Sequence, residues 1–240
     1  MWRGVSSGGR NTPDNWKGFH RHRFVACMNA SAAHYAYNRP GLDWPPLSCN
    51  VSGTQTNSDT VHWLNIISDV GFTKLSCYDR SWAEDCLHTA PHFATKKKVS
   101  MVKQFQTKYL PDIDGHGFSG RYLAFLRSTS MPIKATIYSE WHDTRLVPWY
   151  HFVPMQNSFV DLYGILEYFV GRFGREENNR VIMEDSHDDQ ARRIATQGKE
   201  WAETVLRRED MLVYLLRLLL EYRRICEDRR DSIGWIKDLI

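Results

Sequence analysis

Residues 108–121 read KYLPDIDGHGFSGR, an aromatic and apolar run that meets three glycines within six residues and then opens onto a helical pattern. Glycine lets a backbone turn sharply and approach another group closely. Asp112 and Asp114 flank Ile113 where the apolar run ends, Gly115, Gly117 and Gly120 follow, and Ser119 and Arg121 stand at the helical start. The first N–H groups of a helix are unpaired and carry partial positive charge, so phosphate suits that position. An ordinary strand-to-helix connection capped by Ser119 accounts for the same residues without a ligand.

The first ten residues, MWRGVSSGGR, repeat the arrangement: small, rich in glycine and serine, and closed by an arginine. Thr12 followed by Pro13 predicts an N-cap with proline in the first helical turn. Trp16, Phe19, Phe24 and Cys27 then approximate one apolar face, and Arg21 and Arg23 bring two guanidinium groups near the loop. Guanidinium forks match phosphate oxygens in pairs, which lysine does not do. Neither loop has the spacing of a Walker P-loop or of a dinucleotide fingerprint. Two such loops, each with serine and arginine, point to a phosphorylated ligand.

At 240 residues and 42% hydrophobic content the chain can bury a large core, and it makes one large domain or slightly more. A net charge of +3 argues against a nucleic-acid partner, and Lys96, Lys97 and Lys98 read as a solvated loop. The five cysteines contain no CxxC pair and so no zinc spacing. Cys77 and Cys86 are the best disulfide candidates in an oxidising compartment. No signal peptide is visible, and the most apolar stretch, Met211 to Leu220, is too short for a membrane span and contains Arg217.

Residues 31–60, with Pro40, Pro45, Pro46, Gly41 and Gly53, predict an irregular insertion, and Val61 to Ile67 predict a strand. After the 108–121 unit a helix through Tyr122, Phe125 and Leu126 leads to a short strand at 132–137. This alternation is an α/β pattern with a mainly parallel, Rossmann-like sheet over about residues 61–170. Ligands of such sheets bind at the glycine-rich turns after the strands. Residues 158–240 read as helical: one helix from Ser158 to Phe169 ended by Gly171, one from Ser186 through Leu206, and a last one. In the last, Leu212, Leu215, Leu216, Leu219, Tyr222 and Cys226 recur at helical spacing and predict packing against the sheet or a neighbouring domain.

A third tract, residues 138–154, reads YSEWHDTRLVPWYHFVP. In order, Arg-Gly-x-Ser-Ser-Gly-Gly, then Lys-Tyr-Leu-x-Asp-x-Asp-Gly-x-x-x-Ser-Gly-Arg, then Glu-Trp with Leu-x-Pro-Trp-x-His-Phe-x-Pro, resembles the capsule-associated-protein type of glycosyltransferases. That family includes protein O-glucosyltransferases and fungal capsule xylosyltransferases, and residues 121–154 look most like the fungal branch. The resemblance implies a two-domain GT-B architecture in which this chain corresponds to the C-terminal, donor-binding half, with covering helices at its end. It implies inverting transfer of glucose or xylose from a UDP-sugar to a hydroxyl of a protein or glycan, without a cofactor, in the secretory pathway.

By motif, the resemblance carries Arg3, Gly4, Ser6 and Ser7 to a first donor loop and Arg21 or Arg23 to a diphosphate-binding arginine. It carries Ser119 and Arg121 to a second phosphate contact, and Glu140 to a hydrogen bond with ribose or donor-sugar hydroxyls. Pro148, Trp149 and His151 match too, and fixing a turn is their expected part. In the family an apolar strand and an entire domain precede the Trp-Arg-Gly motif and supply the acceptor base, whereas here Met1 alone precedes Trp2. The base is therefore unassigned. Two alternatives remain: a truncated or degenerate sugar-nucleotide-binding module without catalysis, and a metal-dependent transferase with Asp112, Asp114 and His116 around Mn²⁺ or Mg²⁺. A capping and turn role for the two aspartates is preferred, with no metal site.

Overall fold

A computed structural model describes residues 1–37, 57–77, 86, 88–175, 181–183 and 185–230. Two parallel sheets form its centre. In the first, β1 (Trp2–Val5) pairs with β2 (Val70–Lys74), with Trp2 opposite Val70. In the second, β3 (Tyr109–Ile113), β4 (Met131–Ala135) and β5 (Val153–Pro154) pair in that order. All five residues of β4 are buried, as expected of a central parallel strand covered on both faces.

The N-terminal ammonium and an arginine side chain, rather than a backbone ladder, join the two sheets along β1 and β3. The Met1 ammonium donates to the Tyr109 carbonyl at 3.2 Å, and Arg21 donates to the carbonyls of Val5 (3.0 Å) and Ile113 (3.4 Å). Within each sheet the strands are parallel, in the orders β2-β1 and β3-β4-β5, compatible with a Rossmann-like α/β fold.

Helices cover both faces. They are α1 (His20–Met28), α2 (Ala30–Tyr37), α3 (Asn57–Ile67), the single turn α4 (Met101–Gln104), α5 (Tyr122–Leu126), α6 (Leu162–Val170), α7 (Asp188–Val205) and α8 (Arg208–Ile225). A hairpin of β6 (Phe173–Arg175) and β7 (Val181–Met183) lies between α6 and α7. The main core gathers Trp2, Phe24, Trp63, Phe72, Ile113 and Phe159 from both sheets and their helices. A smaller cluster of Tyr122, Leu126, Leu146, Ala202 and Leu206 joins α5 to the end of α7.

Several expectations need correction. The strand expected at Val61 to Ile67 is the second half of α3, which buries Thr60, Trp63 and Leu64 on one side. Short apolar runs satisfy both periods, and only packing separates them. Residues 31–60, expected to be irregular, contain most of α2 and the start of α3; residues 38–56 lie outside the described residues. No helix starts at Thr12. Instead the Asn15 side chain accepts from the Thr12 N–H at 2.8 Å in a local turn, and α1 begins at His20. The β6–β7 hairpin interrupts the helical stretch expected from residue 158, and α6 begins after Asp161 rather than at Ser158. Gly171 ends it as expected, at φ 81°, a left-handed conformation open to glycine. α8 has no buried residue, so of the two partners expected for the last helix, the sheet or a neighbouring domain, it is not the sheet.

Candidate functional site

The loop after β1 and the loop after β3 meet at the carboxyl edge of the seam. Arg21, entering from the first turn of α1, ties them together. Its Nη1 donates to Ser7 Oγ at 2.7 Å and its Nε to the Asp114 carbonyl at 3.1 Å. Gly115 is required there, because a Cβ on it would stand 2.8 Å from the Arg21 guanidinium and 2.9 Å from Ser7 Oγ. Burial, then the charge of Arg121, lowers the pKa of Arg21 to about 10. Gly9 adopts φ 103° and its N–H points to His116 Nδ1 at 3.4 Å, a second contact between the loops.

The other residues expected at the first loop divide by position. Ser6 is buried and clamps the end of β2: its Oγ accepts from the Ser76 N–H at 2.7 Å. Gly4 makes room for the Trp2 indole, which a Cβ would approach to 2.7 Å. Arg3 points to the opposite, amino edge of the sheet, where both Nη2 contacts to the Asp69 carboxylate are 2.7 Å. Arg23 donates to the Gly18 carbonyl and lies over the Phe159 ring at 5.2 Å. The structure therefore brings Ser7 and Arg21 to the second loop, holds Ser6 and Gly4 beneath them, and keeps Arg3 away.

In the second loop Ser119 is buried and donates to Asp112 Oδ1. Burial raises the Asp112 pKa to about 6, against the hydrogen bond from Ser119 and the charge of Arg121. Arg121 donates to the Arg3 carbonyl at 2.7 Å and lies over the Trp2 ring at 5.6 Å, so it bridges the seam, while its Nη2 has no hydrogen-bond partner. The helix it starts, α5, has only five residues, so its end supplies little dipole. Asp114 accepts from Thr136 Oγ1 at 2.7 Å and from the Ile137 N–H at 2.8 Å, which commits its carboxylate to holding the chain after β4. Asp112, within β3, and Asp114, just after it, thus both have hydrogen-bond partners in neighbouring segments.

Glu140 follows β4 on the same edge. Its Oε1 lies 3.5 Å from Lys134 Nζ and its Oε2 lies 3.4 Å from His142 Nε2. Burial raises its pKa, and the charge of Lys134 opposes the rise. Residues 147–152 turn away from this edge: His151 Nδ1 accepts from the Val147 N–H at 2.9 Å, and its ring stacks on Trp201 of α7 at 5.3 Å. Fixing a turn is what His151 does here. Trp149, at φ 64°, holds a strained left-handed conformation and is half exposed.

Residues 87–230, more than half of the chain, match the profile of glycosyl transferase family 90. The chain belongs to glycosyl transferase family 90. The matched span takes in the second glycine loop, Glu140 and the Pro148–His151 turn; the Trp2–Arg10 tract precedes it. Among curated proteins, the chain is 26% identical to protein O-glucosyltransferase 2 of Danio rerio over 130 residues, 54% of this chain and 23% of that protein. It is 27% identical to protein O-glucosyltransferase 3 of Rattus norvegicus over 143 residues, 59% of this chain and 24% of that protein. The match covers about a quarter of the length of these relatives.

Within the family 90 segment, sequence reasoning passed over Lys134 and His142, which lie beside Glu140. A lone lysine inside the apolar run Pro132–Ile137 was the available signal. It also passed over the supports of the first loop. Asn11 Nδ2 donates to the Ser76 carbonyl at 2.9 Å, and its Oδ1 lies 3.1 Å from His88 Nε2, beside the Cys77–Cys86 disulfide. That disulfide agrees with the expected pairing. Among the described residues no helix is long and apolar enough to cross a membrane.

Proposed function

We propose that this family 90 chain binds a UDP-sugar at the junction of its two glycine loops and serves inverting transfer of glucose or xylose to a hydroxyl of a protein or glycan. The supporting observation is Arg21, which donates to Ser7 Oγ of the first loop and to the Asp114 carbonyl of the second and so ties together two loops that each follow a parallel strand. That is the edge of an open α/β sheet at which ligands bind. Its chemistry suits a diphosphate: Ser7, the Gly8 and Gly9 backbone, and guanidinium groups that remain charged at neutral pH.

In this reading Arg21 and Arg121 stabilise the departing diphosphate by preorganised electrostatics, without a metal. Arg23, at the rim, is a second candidate for the same anion. Ser119 acts through Asp112 on the shape of the loop, and Glu140 accepts a hydrogen bond from a ribose or donor-sugar hydroxyl. Gly4 and Ser6 belong to the loop's support, and Arg3, bound to Asp69 at the opposite edge, has no part in the site. The acceptor base stays unassigned. Residence in the secretory pathway is part of the proposal and is supported by the Cys77–Cys86 disulfide, which persists in oxidising compartments. The protein O-glucosyltransferases among the relatives support the transferase class.

The test is calorimetric titration of the folded chain with UDP-glucose, UDP-xylose and UDP, with and without EDTA. Saturable binding that survives EDTA is expected. Absence of binding to all three would remove the donor-site reading, and binding that requires Mn²⁺ would return the assignment to Asp112 and Asp114.

A further inference from the structure

Lys134 lies in the middle of β4, in register with Asp112 of β3, and its side chain is only 5% exposed. An ammonium group has three donors, and burying it without partners is costly. Here one partner is in hydrogen-bond range, Glu140 Oε1 at 3.5 Å, the outer limit for such a bond. Asp143 Oδ1 lies farther away at 3.7 Å, and the third neighbour is the face of the Tyr122 ring, whose centroid is 3.8 Å from Nζ. The ammonium is therefore enclosed, attracted from three sides and incompletely bonded.

Glu140 is the group this ammonium faces toward the cleft. Its backbone N–H donates to Asp143 Oδ2 at 2.7 Å, which folds residues 140–143 into a tight loop and points both carboxylates at Lys134. His142, fully buried beside them, has no hydrogen bond to either ring nitrogen. The charged and titratable groups around Glu140 are Asp112 and Asp114 from the β3 side, Tyr122 from α5, Lys134 from β4, and His142 and Asp143 from its own loop. Asp143 and Asp114 disfavour charge on Glu140, burial does the same, and Lys134 opposes all three. His142 is kept neutral, with a pKa near 4 imposed first by burial and then by Lys134, so it does not share that task.

We propose that Lys134 is a positioning residue: it holds the Glu140 carboxylate as a hydrogen-bond acceptor for a hydroxyl of the sugar nucleotide. This rests on the donor-site reading above. Lys134 acts through Glu140 and has no part in bond making or breaking. Without Lys134, Glu140 takes up a proton at higher pH, and a protonated carboxyl no longer accepts at both oxygens.

The experiment measures UDP-glucose affinity from about pH 8 to about pH 5 for wild type, Lys134→Met, Lys134→Arg, Glu140→Gln and the Lys134→Met/Glu140→Gln double variant. Loss of a charge-assisted hydrogen bond lowers affinity by about tenfold or more. Lys134→Met is expected to bind normally at the alkaline end and to lose that factor as pH falls, because the raised Glu140 pKa is crossed sooner than in wild type. Lys134→Arg is expected to restore most of the wild-type profile. Glu140→Gln should be weak at every pH, and adding Lys134→Met to it should change nothing further. A folded Lys134→Met protein with the wild-type affinity and pH profile overturns the proposal. So does a pH-independent loss that adds fully to Glu140→Gln, which is the signature of a packing role. Failure of wild type itself to bind any UDP-sugar is a different outcome, since it removes the donor site and this inference with it.

Discussion

The two terminal helices, α7 and α8, have 18 residues each and opposite fates. α8 contains six leucines and buries none of its residues. α7 is rich in charge and buries Ala191, Ile194, Ala195, Gly198 and Ala202. Those five positions follow helical spacing on one stripe, and four of them are Ala or Gly, so the helix axis can come close to β4, α5 and α6. At Gly198 the approach is closest: an added Cβ would stand 2.2 Å from the His151 carbonyl oxygen. In α8 apolar residues occupy Met211 to Leu216 and Leu218 to Leu220 without a break other than Arg217, so no single face is marked for burial. Its link to the rest is slight, Tyr214 beside Trp141 at 5.9 Å between ring centroids. Shape and an available partner decide burial; apolar content alone does not.

The largest effect should come from closing the α7 gap. Gly198→Leu must displace backbone, and we expect a loss on the order of 4 kcal/mol, at the upper end for single substitutions. An unchanged urea midpoint would show that α7 does not lie against the 147–152 turn. A matched pair then tests the comparison directly. Ile194→Ala in α7 should cost about 2–3 kcal/mol, whereas Leu215→Ala in α8 should stay within about 0.5 kcal/mol. Equal losses in urea unfolding would mean that α8 is packed as well as α7.

Acid should attack the buried framework and spare α8. His20, His22 and His142 all have pKa values pushed down to about 4, in each case chiefly by burial. Their ordinary value is near 6.5, so the unfolded chain binds their protons first as pH falls. Stability from these groups is complete above about pH 6.5, declines below it, and is lost once pH passes about 4. Asp112 works in the opposite direction, since its folded pKa of about 6 exceeds the ordinary value and its contribution is lost as pH rises through that range. The three histidines outweigh the two carboxylates with raised pKa values, Asp112 and Glu140, and give a net loss on acidification. Urea midpoints should fall from about pH 7 to about pH 4, with a shallower slope in His22→Gln and the wild-type slope in Leu215→Ala.

The smallest effect on stability and the clearest on behaviour belongs to the Leu215→Glu/Leu219→Glu variant of α8. Both residues are about half exposed, so folding should be unaffected within about 0.5 kcal/mol. Self-association, followed by sedimentation velocity, should decrease, because an exposed contiguous apolar surface favours association. A variant that unfolds instead would place those leucines in a packed interface within the chain.

Much of the centre was legible because its signals are local. The apolar run at 108–113 contains β3, the run at 132–137 covers all but the first residue of β4, the glycines after β3 mark a loop, and Gly171 stops α6. α3 was misread because Val61 to Ile67 is too short and too apolar to reveal its period. The site divides along similar lines. Two serine- and glycine-rich loops with arginines can be recognised in order along the chain, and so can Glu140. Arg3 shows the limit, since its motif suggests an anion contact and its guanidinium is bound to Asp69 at the far edge.

By itself, then, the amino-acid order determined an α/β chain with two glycine loops and the motifs of a glycosyltransferase family, and it singled out Cys77 and Cys86 as the best disulfide candidates. These follow from backbone preferences, short spacings and ordered residue identities, all of which are local to the chain. Tertiary structure alone decided that Arg21 joins the loops while Arg3 does not, that Lys134 is buried against Glu140, and that α7 is buried where the more apolar α8 is not. Each of those outcomes depends on what lies across a gap of a few ångströms from a distant part of the chain: the Asp69 carboxylate, the Tyr122 ring or the His151 carbonyl. A side chain's charge or hydrophobicity sets what it can bind, and the partner that packing delivers sets what it does.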